Sequence, residues 1–235
     1  TVALPKVSEQ VARRQYNQVG ETFLTAISLN SLVVIPSAVY LAFLGLPIVN
    51  LIYHWGAFSQ LDTERTALTL LHYSYGLIGF ALVRVVVPFY YAFSDSRTPM
   101  KISLLSVAVN LLLYWPLIKL LDFAGLAAAT SAAAVLNGAL LIYLLPAKGV
   151  AISFSRLGST TLRILLAALL AFGIARFLPY GIMLPIDQSL GGRLLALGVP
   201  SAVGFVLYIV FSFAFRIREI SLLKSRLMRK RATGK

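Results

Sequence analysis

The stretch RVVVPFYYAFSDSRTPMK, from Arg84 to Lys101, decides the fold because it joins two long apolar segments through one short polar link. Thr98 and Pro99 predict a helix start in which Thr98 is the N-cap and Pro99 occupies the first helical position, where a missing N–H costs nothing. The same alternation of apolar segment and short link runs through the whole chain. This pattern is typical of a polytopic membrane protein.

Composition agrees with a membrane protein and excludes several classes of function. The chain has 235 residues, of which 59% are hydrophobic and 12% are charged, whereas soluble domains carry about 25% charged residues. Cysteine is absent, which excludes disulfides, thiolate catalysis and cysteine-ligated metals. None of the common catalytic or phosphate-binding motifs is present. We therefore predict a protein that is not an enzyme and that binds no metal or organic cofactor; a coupling ion or the membrane potential stays open as an energy source.

The hydrophobic pattern predicts an all-α fold with six transmembrane helices. We place them at about 22–44, 63–93, 99–120, 122–145, 160–178 and 190–215. Residues 45–58, GLPIVNLIYHWGAF, are predicted to form a separate short segment at the membrane boundary, because their rings suit the headgroup region. Residues 1–21 are interpreted as the end of a preceding helix and a polar link, which leads us to expect the C-terminal part of a longer protein.

The distribution of basic residues predicts the orientation. One set of links and both ends carry fifteen Lys and Arg, against four on the other side, leaving out Arg84 and Arg163 within the spans. The positive-inside rule then places both termini in the cytoplasm. The basic tail at 216–235 is interpreted as a flank for anionic lipid headgroups and not as a nucleic-acid site, since no stacking aromatics interleave it.

Four charged residues near the opening stretch are the candidates for a substrate path or gate. An Arg inside a span faces either a cavity or the lipid phosphates, which its long side chain can reach, and both alternatives stay open for Arg84. Asp95 and Arg97, with Lys101 one turn further, form either an ion cluster that opens during transport or a link that only sets topology; the second interpretation is favoured.

Other polar and kinked positions have structural interpretations. Asn110 and Asn137 are expected to hydrogen-bond neighbouring helices. His72 is expected to be an interfacial or packed residue. Four prolines within the spans are candidate hinges, since membrane helices tolerate proline: Pro36, Pro88, Pro116 and Pro200.

Three stretches resemble one family. The run GLIGFALVRVVVPFYYAFSDSRTPMKISL at 76–104 is similar to the lipid II flippases of bacteria (MurJ/MviN), in the multidrug/oligosaccharidyl-lipid/polysaccharide exporter superfamily. The matched positions are Arg84, Pro88, Phe89, Tyr90, Asp95, Arg97, Thr98 and Pro99. Two further matches are GAF at 56–58 followed by Asp62 and Thr63, and AGLAAATSAAAVLNGALL at 124–141.

The resemblance implies the end of helix eight and helices nine to fourteen of a two-lobed, fourteen-helix exporter. In that frame residues 22–145 are four helices of the C-terminal lobe and 146–215 are two additional helices. The implied function is the flipping of lipid II across the bacterial cytoplasmic membrane by alternating access, for cell-wall synthesis. The implied partners are lipid II or a related undecaprenyl-linked glycan, membrane lipids and the missing N-terminal lobe, with no nucleic acid.

Two alternatives remain at this point. The chain could belong to an exporter of another polyprenyl-linked glycan, of O-antigen or capsule type, or to a cation-coupled drug exporter; the latter is expected to carry a carboxylate within a span, which we do not find. It could also be a non-transporting scaffold of cell-wall assembly, which would tolerate changes to residues that line a cavity.

Overall fold

The fold was analysed in a computed structural model that describes residues 3–181 and 189–217, and these ranges are helical without strands. The helices are α1 (Ala3–Ala12), α2 (Tyr16–Tyr53), α3 (Gln60–Ala92), α4 (Arg97–Leu121), α5 (Ala124–Leu144), α6 (Phe154–Gly181) and α7 (Leu190–Ala214). A short 3-10 turn, Leu145–Lys148, follows α5. Helices α2 to α7 are each long and apolar enough to cross a membrane, which confirms the six predicted spans.

The prediction of a separate boundary segment after Leu44 is wrong. Helix α2 continues without interruption through Pro47 to Tyr53 and has 38 residues. Proline removes one hydrogen bond and bends a helix, but within a membrane bundle the helix continues because neighbouring groups compensate. At about 57 Å, α2 is longer than a perpendicular crossing of about 30 Å requires.

The predicted N-cap of α4 is also corrected. The helix begins at Arg97, so Thr98 and Pro99 are its second and third residues and Pro99 does not occupy the predicted first position. The carboxylate of Asp95 acts as the cap: it accepts a hydrogen bond from the Thr98 backbone N–H at 3.0 Å and another from the Thr98 hydroxyl at 2.7 Å. The first N–H groups of a helix have no partner within the helix, and an aspartate before the helix can accept from one of them. A carboxylate is a stronger acceptor than a threonine hydroxyl, so Asp95 takes this role.

The helices form a layer in which α3 packs between α2 and α5. Helix α4 packs against the far side of α5, while α6 and α7 pack together and against α2. Helix α1 lies across α2 and α3 at one end of the layer. We name this the inner end and define it by the links 93–96 and 145–153; the opposite, outer end contains the link 54–59.

Small residues set the spacing between α3 and α5. A Cβ atom added at Gly79 would overlap the backbone of Ala134, and one added at Gly76 would overlap the Ser131 side chain. Both glycines are buried. Close backbone approach through small residues is the usual way in which membrane helices associate, because water does not drive apolar side chains together within lipid.

Large side chains fill the other interface, between α2 and the α6–α7 pair. Phe172 of α6 is fully buried and contacts Tyr40 edge-on, with ring centroids 5.6 Å apart. The same ring lies so close to Gly204 of α7 that a Cβ there would meet it. Aromatic rings beside fully buried alanines of α6 therefore form this cluster, and the close contact of Gly204 is with a ring and not with backbone.

Candidate functional site

The inner end is organised by the Asp95 carboxylate. Lys148, in the turn after α5, places its Nζ 2.6 Å from Oδ2 of Asp95. The hydrogen bond from Lys148, followed by those from Thr98, holds the pKa of Asp95 well below its usual range. Asp95, Thr98 and Lys148 together are named the inner joint; they fasten the α3–α4 link to the end of α5.

The structure shows this pair and not the ion cluster of Asp95, Arg97 and Lys101 that was the less favoured of the two interpretations. Arg97 and Lys101 are exposed, and neither forms an ion pair within the described residues. Lys148 was not among the predicted site residues because it lies about fifty positions beyond Asp95 in sequence. The sequence carries no local signal for this pairing, which depends on how α5 returns to the inner end.

A buried tyrosine extends the inner joint into the membrane-spanning region. Tyr90 is fully buried, and its hydroxyl donates a 2.7 Å hydrogen bond to the backbone carbonyl of Leu141 in the last turn of α5. Carbonyls in the last turn of a helix lack intrahelical partners, so the bond stabilises both groups. Phe89 beside it packs edge-on against Phe23 of α2 at 5.2 Å between ring centroids. The Phe-Tyr pair of the opening stretch thus holds three helices together.

Two other ion pairs lie at the inner end, and both are exposed. Arg156, at the start of α6, contacts Glu21 of α2 at 2.9 Å. Arg13 contacts Glu9 one helical turn away at 2.8 Å. The Arg156–Glu21 contact adds a second link between the α5–α6 connection and the bundle, although exposed pairs contribute little energy.

Arg84 lies on the side of α3 that no other described helix covers. Its side chain is exposed, and it has no hydrogen bond or ion pair within residues 3–181 and 189–217. Phe80 and Tyr91 fall on the same helical face by spacing, and both are exposed. The buried face of α3 at this level, with Val86 and Phe89, points the other way.

The two asparagines behave differently. The amide of Asn137 in α5 donates to the Ser103 hydroxyl of α4 at 3.4 Å, a contact between neighbouring helices. Asn110 instead reaches Tyr114, 3.5 Å away in its own helix. The interhelical contact expected for Asn110 is therefore not what the structure shows.

All four candidate hinge prolines lie within helices, as does Pro47. Pro36 has a visible compensation: the buried Tyr208 of α7 donates from its hydroxyl to the Leu32 carbonyl at 2.9 Å. Leu32 precedes Pro36 by four residues, so its carbonyl is the one that proline leaves without a helical partner. Nearby, the hydroxyls of Tyr40 and Ser201 lie 3.1 Å apart. We name Pro36, Leu32 and Tyr208 the proline joint.

The outer end also joins separate helices. Arg193 at the start of α7 donates to the backbone carbonyl of His54 at 2.7 Å, and its guanidinium lies 4.7 Å from the centre of the Trp55 ring. The His54 ring contacts the Thr63 hydroxyl at 2.9 Å.

His72 contacts Tyr75 one turn away at 3.1 Å. Within the described part of the chain, no group of three His, Cys, Asp or Glu side chains could hold a metal.

A family model described as "Lipid II flippase MurJ" matches residues 1–185. A probable lipid II flippase MurJ of Rickettsia prowazekii is 33% identical over 141 residues, which cover 60% of this chain and 28% of that protein. The Vibrio cholerae counterpart is 32% identical over 150 residues, covering 64% and 29%. The Bdellovibrio bacteriovorus counterpart is 28% identical over 218 residues, covering 93% of this chain and 41% of that protein.

A solved structure, "Lipid II flippase MurJ, inward closed conformation", superposes with a TM-score of 0.66. The sequences are 24% identical, and the match covers 92% of this chain and 42% of that one. At this identity the likeness establishes the fold, as part of a larger exporter architecture. The chain spans less than half the length of the curated relatives that it matches.

Proposed function

This chain belongs to the lipid II flippase MurJ family, and on that premise we propose that it supplies six membrane-spanning helices to a protein that moves lipid II across the bacterial cytoplasmic membrane. The observation that carries the proposal is the match of the family model to residues 1–185, which contain the first five of the six membrane-spanning helices. The substrate's headgroup bears a pyrophosphate and sugars, so it does not cross hydrocarbon unaided. A protein cavity lowers that barrier while the polyprenyl tail remains in lipid.

Within such a cycle we propose that the inner joint is a fixed point and that the proline joint is a hinge. The ion pair of Asp95 with Lys148 and the bond from Tyr90 to Leu141 hold α3 and α5 together at the inner end. Pro36 removes one backbone hydrogen bond within α2, and a side chain from α7 replaces it. Alternating access requires rigid groups of helices that move about a few deformable positions.

The basic residues support an orientation with the inner end in the cytoplasm. The links at this end carry the Lys and Arg excess that the positive-inside rule associates with the cytoplasmic side. The substrate enters from the leaflet in which it is synthesised, so the inner end faces its source. A coupling ion or the membrane potential would supply the driving force for a directional cycle.

The test measures lipid II on the outer leaflet of living cells after acute depletion of the intact protein that contains this chain. We expect exposed lipid II to fall while the inner-leaflet pool accumulates. If exposure is unchanged and a different lipid-linked glycan is trapped inside, the substrate assignment is wrong. If no lipid-linked glycan is trapped although cell-wall assembly fails, the protein acts as a scaffold.

Complementation with one variant tests the hinge. Pro36→Ala restores a regular backbone hydrogen bond and should stiffen α2 without removing any surface group. We expect normal abundance in the membrane with slower recovery of exposed lipid II. Full recovery at normal abundance would contradict the hinge, and Gly198→Ala on the exposed side of α7, where a Cβ meets no atom within 4 Å, is the matched control.

A further inference from the structure

Two arginines within the spans occur at the same distance from the inner end. Arg84 lies eight residues before the end of α3 at Ala92, and Arg163 lies nine residues after the start of α6 at Phe154. At 1.5 Å per residue these positions are about 12 Å and about 14 Å from the inner ends of their helices. Both side chains are exposed. The two helices run in opposite directions on either side of α2, so the agreement in depth is not a consequence of one local sequence pattern.

No described carboxylate is left at the inner end to neutralise these arginines. Each acidic side chain there already contacts another cation, in the pairs Glu9–Arg13, Glu21–Arg156 and Asp95–Lys148. Neither Arg84 nor Arg163 has an ion pair among the described residues. A guanidinium is always charged, and an unpaired charge in an apolar environment is costly. The compensating anion therefore comes from outside this part of the chain.

The depth of the two arginines identifies the source of that anion. Helix α3 has 33 residues and is therefore about 50 Å long, whereas the hydrocarbon core is about 30 Å thick. A centred α3 extends roughly 10 Å beyond the core at each end, which places the Arg84 backbone close to the inner boundary of the hydrocarbon. A flexible arginine at this level reaches the lipid phosphates.

We propose that Arg84 and Arg163 each bind the phosphate of an anionic glycerophospholipid in the inner leaflet. An exposed tyrosine lies on the Arg84 face: Tyr91 is two turns closer to the inner end. Tyrosine rings favour the headgroup region. The two sites, one on each side of α2, fix the depth of the bundle in the membrane. This proposal does not depend on whether the protein transports lipid II.

The test uses the intact protein that contains this chain, reconstituted in nanodiscs of phosphatidylcholine with a minority of phosphatidylglycerol. Native mass spectrometry then counts the phosphatidylglycerol molecules that remain bound after release. A basic residue near the surface contributes about 1 kcal/mol of attraction, so Arg84→Gln and Arg163→Gln should each reduce the preference for phosphatidylglycerol about fivefold. Arg13→Gln, which removes an exposed cation of the inner end that Glu9 already contacts, should leave the preference unchanged.

Further variants decide between the lipid site and the alternatives. Arg84→Lys keeps the charge and should retain the preference, which separates loss of binding from misfolding. An unchanged preference for phosphatidylglycerol in both glutamine variants would overturn the proposal. A reduced preference in only one of them would contradict the inference that both arginines lie at the depth of the phosphates. If Arg84→Gln instead weakens the binding of a polyprenyl diphosphate and leaves phosphatidylglycerol unaffected, Arg84 belongs to the substrate path.

Discussion

The interface between α3 and α5 and the interface between α2 and α7 each contain a buried tyrosine that donates to a backbone carbonyl, yet they are built differently. At the first, the α5 backbone lies directly against Gly79, and Tyr90 bonds a carbonyl in the last turn of a helix. At the second, aromatic rings fill the space, and Tyr208 bonds a carbonyl that Pro36 has freed in the middle of a helix.

The difference indicates which interface is rigid and which can change. Two backbones in contact have no side chains that could rotate to accept a shift, so α3 and α5 move together or separate altogether. Aromatic rings can slide or change rotamer, and a carbonyl freed by proline can exchange its partner without breaking the rest of the helix. The α3–α5 pair is therefore expected to be the stiff unit, and the α2–α7 contact is expected to adjust during a conformational cycle.

The largest effect is expected from a methyl group added at the stiff interface. In Gly79→Ala the new Cβ would overlap the Ala134 backbone, so α3 and α5 must move apart. Overpacking of this kind costs about 1–3 kcal/mol, which outweighs the gain of up to about 1 kcal/mol from replacing glycine in a helix. Equilibrium unfolding in mixed micelles should show a lower free energy of unfolding.

The matched control makes the same chemical change where the structure has room. A Cβ at Gly198 in α7 meets no atom within 4 Å, so Gly198→Ala should leave stability unchanged or raise it by up to about 1 kcal/mol. Equal shifts in the two variants would show that α3 and α5 do not depend on close contact, and the contrast between the interfaces would fail.

The second effect concerns the proline joint. Tyr208→Phe removes the donor to the Leu32 carbonyl and should lower the free energy of unfolding by about 1 kcal/mol, since a buried acceptor loses its partner. In a Pro36→Ala background the alanine N–H supplies that partner, so the same change should cost almost nothing. A double-mutant cycle in micelles measures the coupling. The same cost in both backgrounds would mean that Tyr208 contributes by packing alone.

The membrane-spanning helices could be predicted from the sequence, whereas the continuity of α2 and the contacts that distinguish the two interfaces could not. The six spans follow from hydrophobic length. The sequence does not predict the continuity of α2 to Tyr53, because the rings of residues 53–55 indicate a boundary segment equally well when they lie at the end of a long helix. The partners of Asp95 and Leu32 lie far away along the chain, in Lys148 and Tyr208, so only the packed structure brings them together.

A smaller effect is expected at the inner joint. Asp95→Asn keeps an oxygen for the Thr98 N–H and removes the charge that Lys148 contacts. Because both side chains retain some exposure, solvent screens their attraction, and a cycle of Asp95→Asn with Lys148→Met should give a coupling of about 0.5–1 kcal/mol. Arg97→Gln, which removes an exposed cation from the same region, is the control and should show no coupling to Asp95. A coupling to Arg97 instead would support the ion cluster, the interpretation that the sequence favoured less.

The smallest expected effect is the pH dependence of that same coupling. The pKa of Asp95 is lower in the folded protein than its unfolded value of about 3.9, so the pair contributes fully above that value and its contribution is lost as the pH falls towards the folded pKa. Between about pH 5 and about pH 8 the carboxylate is charged in both states, and the coupling should stay constant when the cycle is repeated across that range. A coupling that changes there would show that another group titrates against the pair. If it stays constant while transport varies with pH, the titrating group lies outside the inner joint, in agreement with a fixed point that other parts of the molecule move around.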